Sequence, residues 1–341
     1  MTVPLDDPRW HLFDFEPVSQ SSQWLQRTEA QFRAASFLDQ RLLLPGTGQA
    51  QAMQPLSLPW QTLHDWAAHN PAHTLHFIFH IGHCGSTLLS RALAATPAIL
   101  PLREPLGLRR LAAMAGTADP EDWIGYLQPV LAAHSRVFHP GQVSMVKATS
   151  TCNALVLPIM ERVPQIRVLL VYLRLESYLA GMLGKHTPAA DLHGHATARL
   201  QEWQAINGDR FPEPANGLDE GQLAVLAWLV GTARLLEASR LQPGHCQLLD
   251  FDAFLQAPEQ GLSTLCEFFQ LGDARAEILA AWPEISLGYS KQPAQPYSTF
   301  NRNRTLARGR TQRAADLAAG LQFAQSLASA QPALRACLDY F

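Results

Sequence analysis

The chain has 341 residues, enough for two ordinary domains or one large α/β domain. Hydrophobic residues make up 47% and charged residues 16%, the latter below the roughly 25% of an average soluble domain, so a sizeable core is available and wholesale disorder is excluded. The net charge of −3 excludes attraction of the whole surface to nucleic acid or an anionic membrane, and leaves room for a local basic site. Of 26 basic residues only three are lysines, Lys147, Lys185 and Lys291. Either the composition is biased toward arginine or the lysines persist where an ammonium is needed. Five cysteines lie far apart with no CxxC pair, so neither a disulfide framework nor a cysteine-based zinc site is expected. The acidic opening lacks a signal-peptide pattern, and no run of 18 apolar residues exists, so no membrane span and a cytoplasmic location are expected.

In chain order, residues 1–70 read as a helical and irregular lead-in. Trp24, Leu25, Phe32, Phe37 and Leu38 give 21–40 a loose amphipathic pattern, ended by Pro45-Gly46 and the stretch from Pro55 to Pro59. Residues 75–81 (LHFIFHI) then read as a short buried strand, 82–85 as a turn and 86–95 as a helix. Strands follow at 98–102 and 143–147, a helix at 151–162, and a strongly apolar strand at 166–173 leading into a helix through Leu183. Long helices at 189–206 and 218–240 precede a late strand at 246–251, a helix at 258–269, and an Ala/Leu-rich helical end over 314–341 interrupted near Pro332. Near-continuous apolar strands alternating with helices imply an α/β fold, a parallel sheet covered on both faces. The expected organisation is a lead-in over 1–70, an α/β domain over 71–313, and a helical extension over 314–341 packed on the same domain.

The strongest functional signal is FIFHIGHCGSTLLSRAL, residues 77–93. A buried strand runs through Gly82, His83, Cys84, Gly85, Ser86 and Thr87 into an apolar helix. The two glycines let the backbone turn and approach a ligand closely. Free N–H groups and the positive end of the helix dipole then face an anion, with two hydroxyls beside them. Read without a ligand, the same residues are a strand-to-helix turn. It is not a Walker A loop, which needs G-x-x-x-x-G-K-(S/T).

The segment resembles the 5′-phosphosulfate loop of sulfotransferases that use 3′-phosphoadenosine 5′-phosphosulfate (PAPS), close to (K/R)-S-G-(T/S)-(T/S)-L-L. Gly85, Ser86, Thr87, Leu88 and Leu89 match, while His83 stands at the basic position and Cys84 at the serine position. The resemblance continues in order over residues 75–310. Residues 96–106 resemble the family's short strand and acidic turn, with Glu104 where one branch carries a carboxylate base. VSMVKATS, 143–150, is similar to V-x-K-(S/T)-P, with Lys147 matching. Residues 163–182 resemble the 3′-phosphate stretch: Arg174 matches its arginine, Leu175-Glu176 replace Asp-Pro, and Met182 replaces a serine. Residues 248–271 resemble a structural segment of the family. The resemblance implies a P-loop-like sulfotransferase architecture, PAPS as cosubstrate, sulfuryl transfer to a hydroxyl or amine acceptor, and no metal.

Such an in-line displacement needs cations at the leaving oxygen, a base for the acceptor, and grips on both ends of the nucleotide. Lys147, at the carboxyl end of a strand expected beside the loop strand, is the first cation and His83 the second. Glu104 is the base, or else a salt-bridge partner of Arg103 or Arg109. Gly82 through Thr87 would hold one end of the nucleotide and Arg174 the other. Residues 285–315 carry Lys291, Arg302, Arg304, Arg308, Arg310 and Arg313 and no acid, with Tyr289, Tyr297 and Phe300 interleaved. Residues 289–310 lack helix periodicity and contain Pro293 and Pro296, and so read as a loop or lid. It resembles the family's R-(K/R)-G run, and Arg308, Gly309 and Arg310 are expected to close over the 3′-phosphate. Lys185 follows the Arg174 helix and receives no role. His73, His76, His80 and His83, like His186, His193 and His195, form no complete zinc ligand set and read as core or surface residues. One basic segment in an acidic chain does not argue for nucleic acid. Two other functions fit the residues: a P-loop kinase or nucleotide-binding enzyme, with Asp250 as the one acidic strand end for Mg²⁺, and a sulfotransferase-like binding protein without transfer activity. Nothing in the sequence names the acceptor.

Overall fold

A computed structural model of the chain describes residues 5–35, 55–72, 75–115, 119–185, 189–208, 211, 214–288 and 299–341. Lys291, with Tyr289, Tyr297, His73 and His186, lies outside the described residues.

The first 70 residues differ from the expected helical lead-in. They contribute an antiparallel sheet of three strands, β1 (Trp10–Glu16), β2 (Ser21–Gln26) and β3 (Leu56–Pro59), in that order. Trp24 and Leu25 belong to β2, where they pair with β1 residues Leu12 and His11. The helix expected around them is cut to Glu29–Ala34, started by a Thr28–Gln31 capping box. Strand pairing has overridden a weak helical period. The sheet is fastened to the rest of the chain by the half-buried Arg136 guanidinium. It donates to the carbonyls of Leu5 at 2.6 Å, Asp7 at 3.2 Å and Trp10, and lies over the rings of Trp24 and Trp66.

The second sheet is the expected one. Its five strands are β4 (Leu75–His80), β5 (Ile99–Arg103), β6 (Val143–Lys147), β7 (Val168–Tyr172) and β8 (Cys246–Asp250). They run parallel in the order β5-β6-β4-β7-β8. All six residues of β4 are buried, which is why the strand reads as an unbroken apolar run. The long helix Glu220–Leu241, started by an Asp219–Gln222 capping box, packs Gly231 against Ile81 and donates the Trp228 indole N–H to the carbonyl of Leu173 at 2.8 Å. The chain steps from β4 to β5, back to β6 on one flank of β4, and then to β7 on the other. The carboxyl end of β4 is therefore the switch point where open α/β sheets leave a crevice.

The expected loop over 289–310 is corrected where it is described: Thr299–Gln312 is an α-helix. It lies against the helix Leu175–Leu183, and the contact is made by backbone. A Cβ on Gly309 would sit 2.1 Å from the Ala180 carbonyl oxygen, and one on Gly184 would sit 2.0 Å from that of Thr305. The helices Ala314–Ala330 and Pro332–Tyr340 complete the chain.

Candidate functional site

The loop after β4 is fixed by its backbone. Gly82, His83 and Gly85 all take left-handed φ, at 86°, 52° and 78°. Gly85 has no room for a side chain either, since a Cβ there would lie 2.0 Å from the Phe251 ring. His80 latches the turn: the Gly82 N–H donates to its Nδ1 at 2.9 Å, so the ring proton is on Nε2, which donates to the Ala148 carbonyl at 2.9 Å. The Asn153 amide donates to the His80 carbonyl at 3.2 Å.

Gly85 is the N-cap of the helix Ser86–Leu93, and no side chain caps it. The first N–H groups of that helix and the buried Ser86 and Thr87 hydroxyls therefore stand at its positive end. Cys84 departs from its expected role. Its thiol points into the core and donates to the Val171 carbonyl at 3.4 Å, and burial pushes it up to about 12. Only the backbone of Cys84 suits an anion. His83 is exposed at the rim.

Lys147 ends β6 beside the loop strand, in register with Ile78 of β4 and Arg103 of β5. Its side chain is 1% exposed and its ammonium bonds the Glu104 carboxylate. Burial of the ammonium is tolerable because that counter-charge is there. Glu104 follows β5 with a left-handed φ of 56°, and its N–H donates to the Lys147 carbonyl at 2.7 Å, so backbone and side chain both join the pair. Arg103, one of the expected partners of Glu104, turns away to the Ser90 hydroxyl and the carbonyls of Arg33 and Ala35.

Around these groups is a cleft of about 400 Å³. One wall is the loop from His83 to Leu88 with His80, Glu104 and Lys147. The other is helical: Leu173, Ser177, Tyr178, Gly181, Met182 and Lys185, then Asn301, Arg302, Thr305 and Leu306, with Phe251 between. His83, Cys84, Gly85, Ser86, Thr87, Glu104 and Lys147 are thus brought together.

The other expected ligands are not. Gly82 lies behind the lining. Arg174 is 73% exposed and its Nε donates to Asp250 at 3.3 Å. Arg308 bonds the Gly184 carbonyl, Gly309 is packed on Ala180, and Arg310 forms a two-pronged pair with Glu176 at 2.8 Å. In their place the helical wall brings Lys185, whose Nζ is 3.0 Å from the Met182 sulfur, and Arg302, which bonds Asp252 and lies 5.9 Å over the Phe251 ring. One signal for this wall was available. Arg302, Thr305, Leu306 and Gly309 fall at the spacing of one helix face. The lining presents Lys147, Lys185 and Arg302 with the carboxylate of Glu104, and Asp252 pairs with Arg302, so the cleft keeps a small excess of positive charge that suits an anionic ligand.

Among the described residues no group of three or more His, Cys, Asp or Glu could hold a metal ion. His76 and His80 serve the fold: the Arg167 N–H donates to His76 Nδ1 at 3.1 Å, and burial lowers His76 to about 4. No helix among the described residues is long and apolar enough to cross a membrane.

No family model matches the chain, and no curated protein sequence does. Solved structures that resemble it include sulfotransferases. One from Mycobacterium avium is 12% identical, with a TM-score of 0.42 over 74% of this chain and 79% of that one. The sulfotransferase domain of a Synechococcus olefin synthase is 16% identical, with a TM-score of 0.37 over 76% and 97% of the two chains. One from Alicyclobacillus acidocaldarius is 12% identical, with a TM-score of 0.34 over 58% and 81%.

Proposed function

We propose that the protein transfers a sulfuryl group from PAPS to a hydroxyl or amine acceptor. The observation that carries this reading is the buried Lys147–Glu104 pair lying in one cleft with the glycine loop and the start of the helix Ser86–Leu93. The residues suit such a donor. Backbone N–H groups from Cys84 to Thr87 would take its sulfated phosphate, and Lys185 and Arg302 are the cations the cleft offers to a second phosphate. Bound there, PAPS supplies an activated sulfur–oxygen bond.

In the transfer, Glu104 accepts the proton of the acceptor's O–H or N–H. The freed electron pair forms the new bond to sulfur as the sulfur–oxygen bond to phosphate breaks. Lys147, already desolvated, neutralises the charge left on that phosphate oxygen, and as a compact ammonium it can shift from Glu104 to do so. His83 adds a donor at the rim. Arg174, Arg308 and Arg310 would contribute only by leaving the partners they now hold.

Calorimetry with 3′,5′-ADP, PAPS and ATP·Mg²⁺ tests the reading. Binding of 3′,5′-ADP without Mg²⁺, tighter than ATP·Mg²⁺, is the expected result. Preference for ATP·Mg²⁺ would replace it with a kinase, and binding of PAPS without turnover on any acceptor would leave a binding protein.

A further inference from the structure

His80 is the last residue of β4, is buried, and borders the cleft. Its two ring nitrogens serve two different segments. Nδ1 accepts from the N–H of Gly82, which opens the anion loop, and Nε2 donates to the carbonyl of Ala148, the residue after Lys147. One imidazole therefore joins the loop whose N–H groups face an anion to the strand end that carries the ammonium. The joint is braced on both sides. The Ala148 N–H donates to the Ile78 carbonyl at 3.0 Å, and the Asn153 amide donates to the His80 carbonyl at 3.2 Å.

The choice of side chain fits this task. A neutral imidazole holds an acceptor and a donor on opposite sides of one rigid ring, whereas an amide holds both at one end of its stem. His76, four residues earlier on β4, makes a similar bond to the Arg167 N–H, but it does not border the cleft. The two histidines thus separate a role in the fold from a role in the site.

We propose that His80 is a positioning residue for the transfer: its ring sets the anion loop against the Lys147 strand end, so that the donor's sulfated phosphate is held in reach of the ammonium. The role rests on the proposed sulfuryl transfer, whereas the latch itself does not. Reacting groups misplaced by about 1 Å can lose about a hundredfold in rate, so such a brace has a kinetic consequence.

The latch is tested first, on the full chain without ligand. Heteronuclear NMR of the histidine rings near neutral pH should show His80 with its proton on Nε2 alone, and a slowly exchanging Gly82 amide. A proton on Nδ1, or a fast-exchanging amide, would overturn the proposal even if PAPS is turned over. Two variants then divide the bridge. His80→Asn keeps an acceptor near Nδ1 and loses the reach to Ala148, so it should hold 3′,5′-ADP within about threefold and lose about a hundredfold in kcat. His80→Gln keeps a donor near Nε2 and loses the acceptor for Gly82, so it should weaken 3′,5′-ADP by about tenfold or more, with the smaller loss in kcat. His76→Asn should lower the melting temperature and leave both constants unchanged. The same losses of affinity and turnover in both His80 variants, or losses matched by His76→Asn, would overturn the proposal by reducing His80 to a structural residue. A native chain that shows the latch but binds no 3′,5′-ADP would refute the donor, and with it the role in transfer.

Discussion

The two walls of the cleft are built by different means. The sheet-side wall is set by backbone: three left-handed residues in a row of four, a histidine latch, and a lysine whose main chain and side chain both engage Glu104. The helical wall is a pair of helices pressed together at Gly184 and Gly309, presenting Lys185 and Arg302 on long stems. Rigid elements suit chemistry, where small displacements are costly, and long side chains suit recognition. On the proposed function, the reaction therefore belongs to one wall and affinity to the other.

Substitutions can break that division. Lys147→Met should have the largest effect, lowering kcat by about a thousandfold, roughly 4 kcal/mol, while 3′,5′-ADP still binds. Steady-state kinetics beside calorimetry would check this, and equal losses in kcat and nucleotide affinity would blur the two walls.

Acid should act next, on the fold rather than on either wall. His76 and His134 are buried, and each is lowered to about 4. The unfolded chain binds their protons near 6.5 and the folded chain does not. Their stabilisation is complete above pH 6.5 and lost as pH falls toward 4, by roughly 3 kcal/mol per group. Denaturant unfolding across that interval should show the loss, reduced by His134→Gln. Glu202 has the opposite sign: burial raises it to about 7, so its contribution is present at low pH and declines as pH rises through 7.

Gly309→Val should cost about 2 kcal/mol by forcing the two helices apart, and should weaken nucleotide binding with it, as read by melting temperature and calorimetry. Lys185→Ala or Arg302→Ala should raise the nucleotide Kd about tenfold and leave kcat nearly unchanged. Arg174→Ala and Arg310→Ala should be smallest, within about 0.5 kcal/mol in both stability and affinity, because their ion pairs are exposed.

Much of the sheet-side wall is legible in the sequence because its determinants are local. A buried strand, glycines at fixed offsets and a strand-ending lysine each announce themselves within ten residues. The alternation that foretells a parallel sheet is equally local, and the five strands fall close to where it puts them. What fails depends on distant pairing. β1 and β2 are held by each other and by Arg136, more than a hundred residues on, so Trp24 and Leu25 look helical until their partners are known.

The helix Thr299–Gln312 is hidden for a similar reason. It is polar along most of its length and contains Gly309, and it is seated by a backbone contact with Ala180 that no propensity encodes. Ranking cations by motif likewise favours Arg308 and Arg310, which the helix turns toward Gly184 and Glu176, and overlooks Lys185 at the end of its neighbour. Between Arg103 and Val143 the sequence pattern marks no element, and the structure has the helices Leu106–Met114 and Pro120–His134 there. The second of them contains Pro129, a residue that reads as a break.

The direction of the Cys84 side chain has a consequence for how the protein would fare in an oxidising or alkylating medium. A sulfhydryl in a ligand-binding loop is ordinarily the first point of attack, since damage follows thiolate character and access. Here the sulfur is wholly enclosed and stays protonated at neutral pH. Iodoacetamide or peroxide should therefore spare Cys84 in the folded protein, and thiol labelling at this position would report unfolding rather than occupancy of the cleft.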